Sequence, residues 1–232
     1  MNPIYPLSQR LGRFCFSSFG RLEVRGEEAV PPYGPLILVA NHLSFNDPPL
    51  LLSIIRRPLN FIGKQELFGN PISKFTMQGF GVHPFDRSGH AVDMVRLTLR
   101  MLAEDRAVAL FPEGHRSPDH SLQQGMPGAA YIAFKSQATL LPVALSGTEK
   151  FPTWRLPFPL CQIRVTIGQP FTLPMLEGRP SRALLKSLTD MIMYRIAALL
   201  PEEYRGVYAM PEVRKLEGLA PSPSRSGGAA TG

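Results

Sequence analysis

Short apolar segments alternate with amphipathic ones along most of this chain. Seven of the apolar segments are bounded by Gly, Pro or charged residues, a pattern that is typical of buried β-strands. We predict strands at residues 22–25, 36–40, 59–63, 80–83, 107–111, 139–145 and 162–167.

Helical patterns lie between and beside these strands. The clearest covers residues 90–104, where apolar residues recur every three or four positions and share one face. Asp47 precedes two prolines and is a natural N-cap for a helix over residues 48–56. Further helices are expected at 4–19, at 127–135, and in a long segment that Ser181 caps and Pro201 ends.

This alternation predicts an α/β fold, in which a mixed, largely parallel sheet is flanked by helices. A chain of 232 residues can bury a sizeable core as one domain, which we place at residues 21–217. Residues 218–232 contain almost nothing that could be buried, so this tail is expected to be disordered.

The N-terminal segment, residues 1–20, is predicted to be an amphipathic helix whose apolar stripe is formed by Ile4, Leu7, Leu11 and Phe14. No acidic residue precedes Glu23. The helix could therefore associate with anionic lipid, inserting the rings of Phe14, Phe16 and Phe19 at the headgroup boundary. The alternative is a terminal helix that docks on the domain.

Charge and cysteine content narrow the class of protein. A formal net charge of +7 favours an anionic partner: nucleic acid, a phosphorylated metabolite or the cytoplasmic face of a membrane. No apolar run is long enough for a spanning helix, so a soluble or peripheral protein is expected. Cys15 and Cys161 are far apart, and the N-terminus lacks signal-peptide features, which favours a reducing cytosol without export.

One dense polar cluster, NHLSFND, follows the predicted strand at residues 36–40. His42 would lie at the end of a buried strand, where α/β folds commonly place reactive groups. A strand-turn-helix junction could bring Asp47 to the imidazole, fixing its tautomer and leaving the other nitrogen to accept a proton from a hydroxyl. The alternative is an N-cap aspartate beside an unrelated loop histidine.

The second cluster, FPEGHRS, follows the strand at residues 107–111 and should emerge at the same edge of the sheet. Glu113 can accept hydrogen bonds from a polyol, and Arg116 can bind phosphate through two N–H groups. Lys64 and Arg87 also come just after predicted strands. If Lys64, Arg87 and Arg116 converge, they form a phosphate pocket rather than the basic stripe of a nucleic-acid surface.

The sequence lacks the motifs of a serine hydrolase, of a phosphate-binding loop and of a zinc protease. The sequence contains no GxSxG, no phosphate-loop GxxxxGK[ST] and no HExxH. We therefore expect neither a metal site nor a nucleotide-binding loop.

Four blocks in order resemble those of the glycerolipid acyltransferase family, whose best known members are the 1-acylglycerol-3-phosphate (lysophosphatidic acid) acyltransferases. NHLSFND is similar to the histidine-x4-aspartate block, and Phe85-Asp86-Arg87 to the second block. FPEGHRS is similar to FPEGTRS, with His115 in place of threonine, and Leu141-Pro142-Val143-Ala144 is similar to the fourth block. The similarity covers residues 22–172.

The resemblance implies acyl transfer from acyl-CoA or acyl carrier protein, as co-substrate, to a lysophospholipid hydroxyl without metal or cofactor. His42 would be the general base and Asp47 would orient it. The acceptor would be bound by Arg87, Glu113, Gly114 and Arg116, with Lys64 as an additional phosphate contact. The expected partners are the lysophospholipid, the acyl thioester, acyl carrier protein and an anionic membrane surface, with the protein peripheral on the cytoplasmic face.

Two alternatives remain at this point. The acceptor could be a different lysolipid, because His115 departs from the family pattern. A non-catalytic binder of anionic lipid could also keep the fold and the basic pocket, although lipid binding alone would not require both His42 and Asp47.

Overall fold

The computed structural model describes residues 4–85, 91–156, 158–175 and 178–209. Within them, seven strands form one sheet in the order β1-β7-β6-β2-β5-β3-β4. The strands are β1 (Arg21–Arg25), β2 (Leu36–Ala40), β3 (Leu59–Lys64), β4 (Val82–Phe85), β5 (Ala107–Leu110), β6 (Thr139–Ser146) and β7 (Gln162–Ile167). β6, β2, β5, β3 and β4 are parallel, whereas β7 is antiparallel to β6 and β1 runs with β7.

Six α-helices belong to the same described part of the chain. They are α1 (Ile4–Phe19), α2 (Asp47–Ile54), α3 (Pro71–Gly79), α4 (Ala91–Ala103), α5 (Pro127–Ser136) and α6 (Arg182–Ala197). The sheet separates two apolar cores, one shared with α1 and α2 and the other with α4, α5 and α6.

The central strand β2 explains why the sheet is covered on both faces. Every residue from Leu36 to Ala40 is fully buried, and alternate side chains enter opposite cores. A strand that is apolar at every position cannot expose either face to water without losing the free energy of burial. The predicted α/β class and the mixed, largely parallel sheet are confirmed.

The one strand whose predicted position is wrong is β4. We predicted it at residues 80–83, but it spans Val82–Phe85, because Phe80 ends the unpredicted helix α3 by donating its N–H to the carbonyl of Thr76. α3 begins in a capping box, in which the Asn70 side chain accepts the N–H of Ser73 at 2.8 Å.

Helix α1 docks on α2 through a small and polar face. Gln9 Nε2 donates to the carbonyls of Leu52 and Ile55 at the end of α2, and the Tyr5 hydroxyl accepts the N–H of Leu59. A Cβ at Gly12 would lie 2.1 Å from Ser53 Oγ and 3.2 Å from Ser53 Cβ, so any larger residue there would displace that hydroxyl or push α1 away from α2. Three residues of the predicted apolar stripe therefore face outward: the exposed fractions are 67% for Leu7, 59% for Leu11 and 60% for Phe14.

Candidate active site

The loop between β2 and α2 begins with a side chain that extends the sheet. Asn41 is buried, donates from Nδ2 to the carbonyl of Leu145 at 2.9 Å and accepts the Leu145 N–H at 2.8 Å. This reciprocal pair continues the pairing of β2 with β6 by one residue. It fixes the point at which His42 leaves the sheet.

The predicted histidine and aspartate lie in direct contact. His42 Nδ1 is 2.7 Å from Asp47 Oδ2, the carboxylate is fully buried, and the imidazole side chain is 16% exposed. Because the carboxylate is the acceptor, the Nδ1 atom carries the proton and Nε2 is left with a lone pair. The arrangement therefore suits an imidazole that accepts a proton at Nε2.

Asp47 is held by the loop that it closes. Its Oδ2 atom also accepts the N–H groups of Leu43 at 2.7 Å and Ser44 at 2.8 Å. Our prediction of Asp47 as the N-cap was wrong by one residue, because Asn46 occupies that position and Asp47 is the first helical residue. The carboxylate points back at the loop rather than at the helix N–H groups, which is why it reaches His42.

The segment that follows β6 completes the support of this loop. The Thr148 hydroxyl donates to Asp47 Oδ1 at 2.5 Å, and Asn46 Nδ2 donates to the carbonyls of Thr148 and Phe151. Thr148 is fully buried. We did not predict the roles of Thr148 and Asn46 from the sequence, although Thr148 follows a strand that ends at the same edge of the sheet as β2.

Glu113 is buried beneath the loop, with an exposed fraction of 1%. One carboxylate oxygen accepts the N–H of His42 at 2.8 Å and the other accepts the N–H of Gln123 at 2.8 Å. Burial raises the pKa of Glu113 to about 7, and its backbone hydrogen bonds only partly oppose that rise. The carboxylate thus fixes the main chain of His42, and its contact with an acceptor stays a prediction.

The turn after β5 supports the histidine from its other side. The Phe111 ring stacks on the imidazole with centroids 4.0 Å apart, and the Ser117 N–H donates to the His42 carbonyl at 2.8 Å. Gly114 has φ 73°, and a Cβ there would lie 2.3 Å from Met126 Sδ, so the turn requires glycine. Gly114 therefore shapes this turn, and its contact with an acceptor also stays a prediction.

The structure describes only one of the three predicted phosphate-binding cations in full. The Arg116 side chain is exposed, and its guanidinium carbon lies 3.8 Å from the centre of the Phe45 ring. Lys64 ends β3 at the same edge of the sheet, but its side chain is not among those described. Arg87 lies outside the described residues, so the convergence of these three cations stays a prediction.

The known proteins to which this chain is similar are acyltransferases. The family model described as Acyltransferase matches residues 21–146. The chain is 34% identical over 135 residues to the chloroplastic 1-acyl-sn-glycerol-3-phosphate acyltransferase LPAT1 of Arabidopsis thaliana, covering 57% of this chain and 38% of the plant protein. It is 25% identical over 182 residues to the 1-acyl-sn-glycerol-3-phosphate acyltransferase of Bacillus subtilis, covering 78% of this chain and 88% of the bacterial protein.

A solved structure shares the fold. The crystal structure of the 1-acyl-sn-glycerophosphate acyltransferase PlsC from Thermotoga maritima matches with a TM-score of 0.67 at 25% identity. The match covers 84% of this chain and 78% of that protein.

Proposed function

Because the chain belongs to the acyltransferase family, we propose that it transfers a fatty acyl group from a thioester to the free hydroxyl of 1-acylglycerol-3-phosphate, giving phosphatidic acid. The donor would be acyl-CoA or acyl carrier protein. Relatives from a plant and a bacterium carry the name of this activity, and the described residues supply a base where the reaction needs one.

The contact between His42 and Asp47 carries the proposal. A thioester is already activated, so the enzyme chiefly positions the alcohol, removes its proton as attack proceeds and stabilises the oxyanion. His42 Nε2 would accept the hydroxyl proton, and the buried Asp47 would stabilise the imidazolium that forms. The thiolate leaving group would then take up that proton, which restores neutral His42.

This mechanism uses no metal ion and no prosthetic group. Across the residues that the structure describes, no three His, Cys, Asp or Glu side chains are grouped as metal ligands. The acyl thioester enters as a co-substrate, and the acyl group would pass directly to the acceptor oxygen.

An acceptor-dependent thiol assay tests the proposal. The full chain is incubated with one acyl-CoA, and free thiol is followed with and without 1-acylglycerol-3-phosphate while mass spectrometry identifies the product. Thiol release that requires the acceptor and yields phosphatidic acid is expected. Vesicle binding without thiol release, for acyl-CoA and acyl-carrier-protein donors alike, would instead identify a non-catalytic lipid binder.

A panel of lysolipids in the same assay tests the acceptor. Because His115 stands where the family pattern has threonine, we expect the local contacts of the acceptor to differ from that pattern. We expect 1-acylglycerol-3-phosphate to give the highest kcat/KM. A higher value for a lysolipid without a terminal phosphate monoester would move the acceptor to that class.

We further propose that the protein rests on the cytoplasmic face of a membrane through α1. The exposed stripe of α1 continues into Phe158, whose ring centroid is 4.6 Å from that of Phe19, and into exposed Leu160. Phe16 is only 1% exposed, so our prediction that it inserts into lipid was wrong. No helix among the described residues is long and apolar enough to cross a bilayer.

A further inference from the structure

A cavity of about 400 Å³ lies beside the loop that carries His42 and Asp47. Three segments form its wall: the loop itself, the turn after β5 and the segment after β6. They contribute the hydroxyls of Ser44 and Thr153 and the cations Arg116 and Lys150, and Phe45 and His120 line the same space.

The charge of the cavity wall is positive. Arg116 and Lys150 are both exposed, and neither lies within 4.0 Å of a carboxylate oxygen in the part of the chain that the structure describes. Glu149 also lines the cavity, but its oxygens accept the Tyr204 hydroxyl at 2.7 Å and the Gly147 N–H at 2.9 Å. The two cations are thus available to an anion that enters.

The main chain on either side of Lys150 is tied to the His42–Asp47 loop. Asn46 Nδ2 donates to the carbonyls of Thr148 and Phe151, which bracket Lys150 in the chain. The N–H of Lys150 donates to the carbonyl of Gly147 at 3.2 Å. Lys150 is therefore presented from a rigid segment, which lowers the entropy lost when its side chain binds an anion.

Arg116 is anchored in the same way from the opposite wall. The residue that follows it, Ser117, donates its N–H to the carbonyl of His42 at 2.8 Å. Its guanidinium lies over the exposed ring of Phe45, which limits where that group can move.

We propose that Lys150 and Arg116 form a phosphate-binding subsite and that Lys150 is a substrate-binding residue of the reaction. This inference rests on the proposed function and extends it. The ligand is a phosphate group of either substrate, the monoester of the acceptor or a phosphate of the CoA or phosphopantetheine donor. Two cations and neighbouring hydroxyls suit phosphate oxygens, which accept charge-assisted hydrogen bonds.

The two cations of the subsite follow different strands of the sheet. β2 carries His42 and lies between β5 and β6. Lys64 ends β3, which is on the β5 side, whereas Lys150 follows β6 on the other side. Arg116, which follows β5, and Lys150, which follows β6, therefore reach the cavity from opposite sides of the strand that leads to His42.

Steady-state kinetics of Lys150→Met test the subsite. The matched control is Lys135→Met, which removes the same charge from an exposed lysine at the end of α5, at the opposite edge of the sheet. We expect Lys150→Met to raise one KM about tenfold or more with kcat nearly unchanged, since a charge-assisted hydrogen bond is lost. A rise for 1-acylglycerol-3-phosphate identifies the acceptor phosphate, and a rise for acyl-CoA identifies the donor phosphate. If both KM values match those of the control, Lys150 does not bind substrate.

Equilibrium dialysis with labelled inorganic pyrophosphate separates this inference from the proposed function, because it requires no turnover. The wild-type chain should bind the anion at low ionic strength, and Lys150→Met should bind it at least about fivefold more weakly than Lys135→Met. Equal affinities in the two variants, or no binding by the wild type, would overturn the subsite even if acyl transfer is observed. If acyl transfer is absent but the chain still binds pyrophosphate in a way that depends on Lys150, the result counts against the proposed function alone.

Discussion

Four donors converge on the carboxylate of Asp47, and this convergence fixes the imidazole of His42. The His42 ring and two loop N–H groups share Oδ2, while the Thr148 hydroxyl binds Oδ1. Removing the Thr148 hydroxyl leaves a fully buried oxygen without that partner, which costs about 1–3 kcal/mol of folding free energy. We expect the same change to loosen the carboxylate, because only the donors to Oδ2 would remain.

Thr148→Val should therefore lower kcat by about tenfold with little change in either KM, because the side chain touches Asp47 and not the substrate. Thr148→Ser keeps the hydroxyl and should restore most of the lost kcat. The readouts are steady-state kinetics and urea unfolding on all three proteins. A valine variant that loses stability but keeps the wild-type kcat would show that Thr148 supports the fold alone.

Because its pKa is raised in the folded state, Glu113 makes the folded protein less stable as pH rises. The ordinary value of 4.5 applies to the unfolded chain, and the folded value is about 7. The folded state therefore binds more protons between these values, and the stability contributed by Glu113 is full below about pH 4.5 and lost as pH rises through about 7. The loss amounts to ~3 kcal/mol.

Urea unfolding at about pH 5 and about pH 8 measures this effect. Wild type should lose more unfolding free energy between the two pH values than Glu113→Gln, which cannot titrate. The glutamine variant is expected to be less stable at both values, since its amide nitrogen cannot accept a backbone N–H. If the unfolding free energies of the two proteins change equally between these pH values, the raised pKa of Glu113 is contradicted.

The sequence supported some of these residue contacts and not others. The proximity of His42 and Asp47 followed from a strand-turn-helix junction, and the 2.7 Å contact confirms it. The Thr148 contact joins residues 101 positions apart and depends on β6 lying beside β2, which no local pattern reveals. Glu113 was predicted to bind the acceptor, and that contact stays a prediction. Its hydrogen bonds to the main chain of His42 and Gln123 were not predicted, since they join residues 71 and 10 positions apart.

Helix α1 shows how far a periodic pattern determines an element. The apolar stripe correctly predicted a helix over residues 4–19, yet Leu7, Leu11 and Phe14 of that stripe do not face the core. Docking uses Gln9, Gly12 and buried Tyr5 and Phe16, because a glycine and hydrogen bonds allow close approach to α2. The docking interpretation of the N-terminal segment is therefore confirmed, and membrane association through the outward face stays a proposal.

Placing charges on this exposed stripe should release the protein from membranes. We expect the double variant Leu11→Asp with Phe14→Asp to bind anionic phosphatidylglycerol vesicles at least about tenfold more weakly than wild type, because each buried apolar side chain contributes about 1.5–3 kcal/mol. Val92→Asp, on α4 in the opposite helix layer, is the control. Vesicle sedimentation gives the affinities, and equal binding by all three proteins would remove α1 from the membrane interface.

At the scale of the whole molecule, the parallel part of the sheet assembles the candidate active site. β6, β2 and β5 are adjacent and parallel, so the loops that follow them meet at one edge and bring Thr148, His42 and Glu113 together. Alternating apolar and amphipathic segments predicted the α/β class because a parallel strand pair needs a crossover. The pattern of segments could not predict the order of the strands, because contacts between residues that are distant in sequence determine that order.

Turnover of the His42→Ala variant tests the central claim most directly. The full chain and the variant are assayed for acyl-CoA thiol release with 1-acylglycerol-3-phosphate at saturating concentrations, after urea unfolding has shown that the variant remains folded. If Nε2 of His42 takes the hydroxyl proton, kcat should fall by about 10²- to 10⁴-fold. A folded variant with near wild-type kcat would contradict the account.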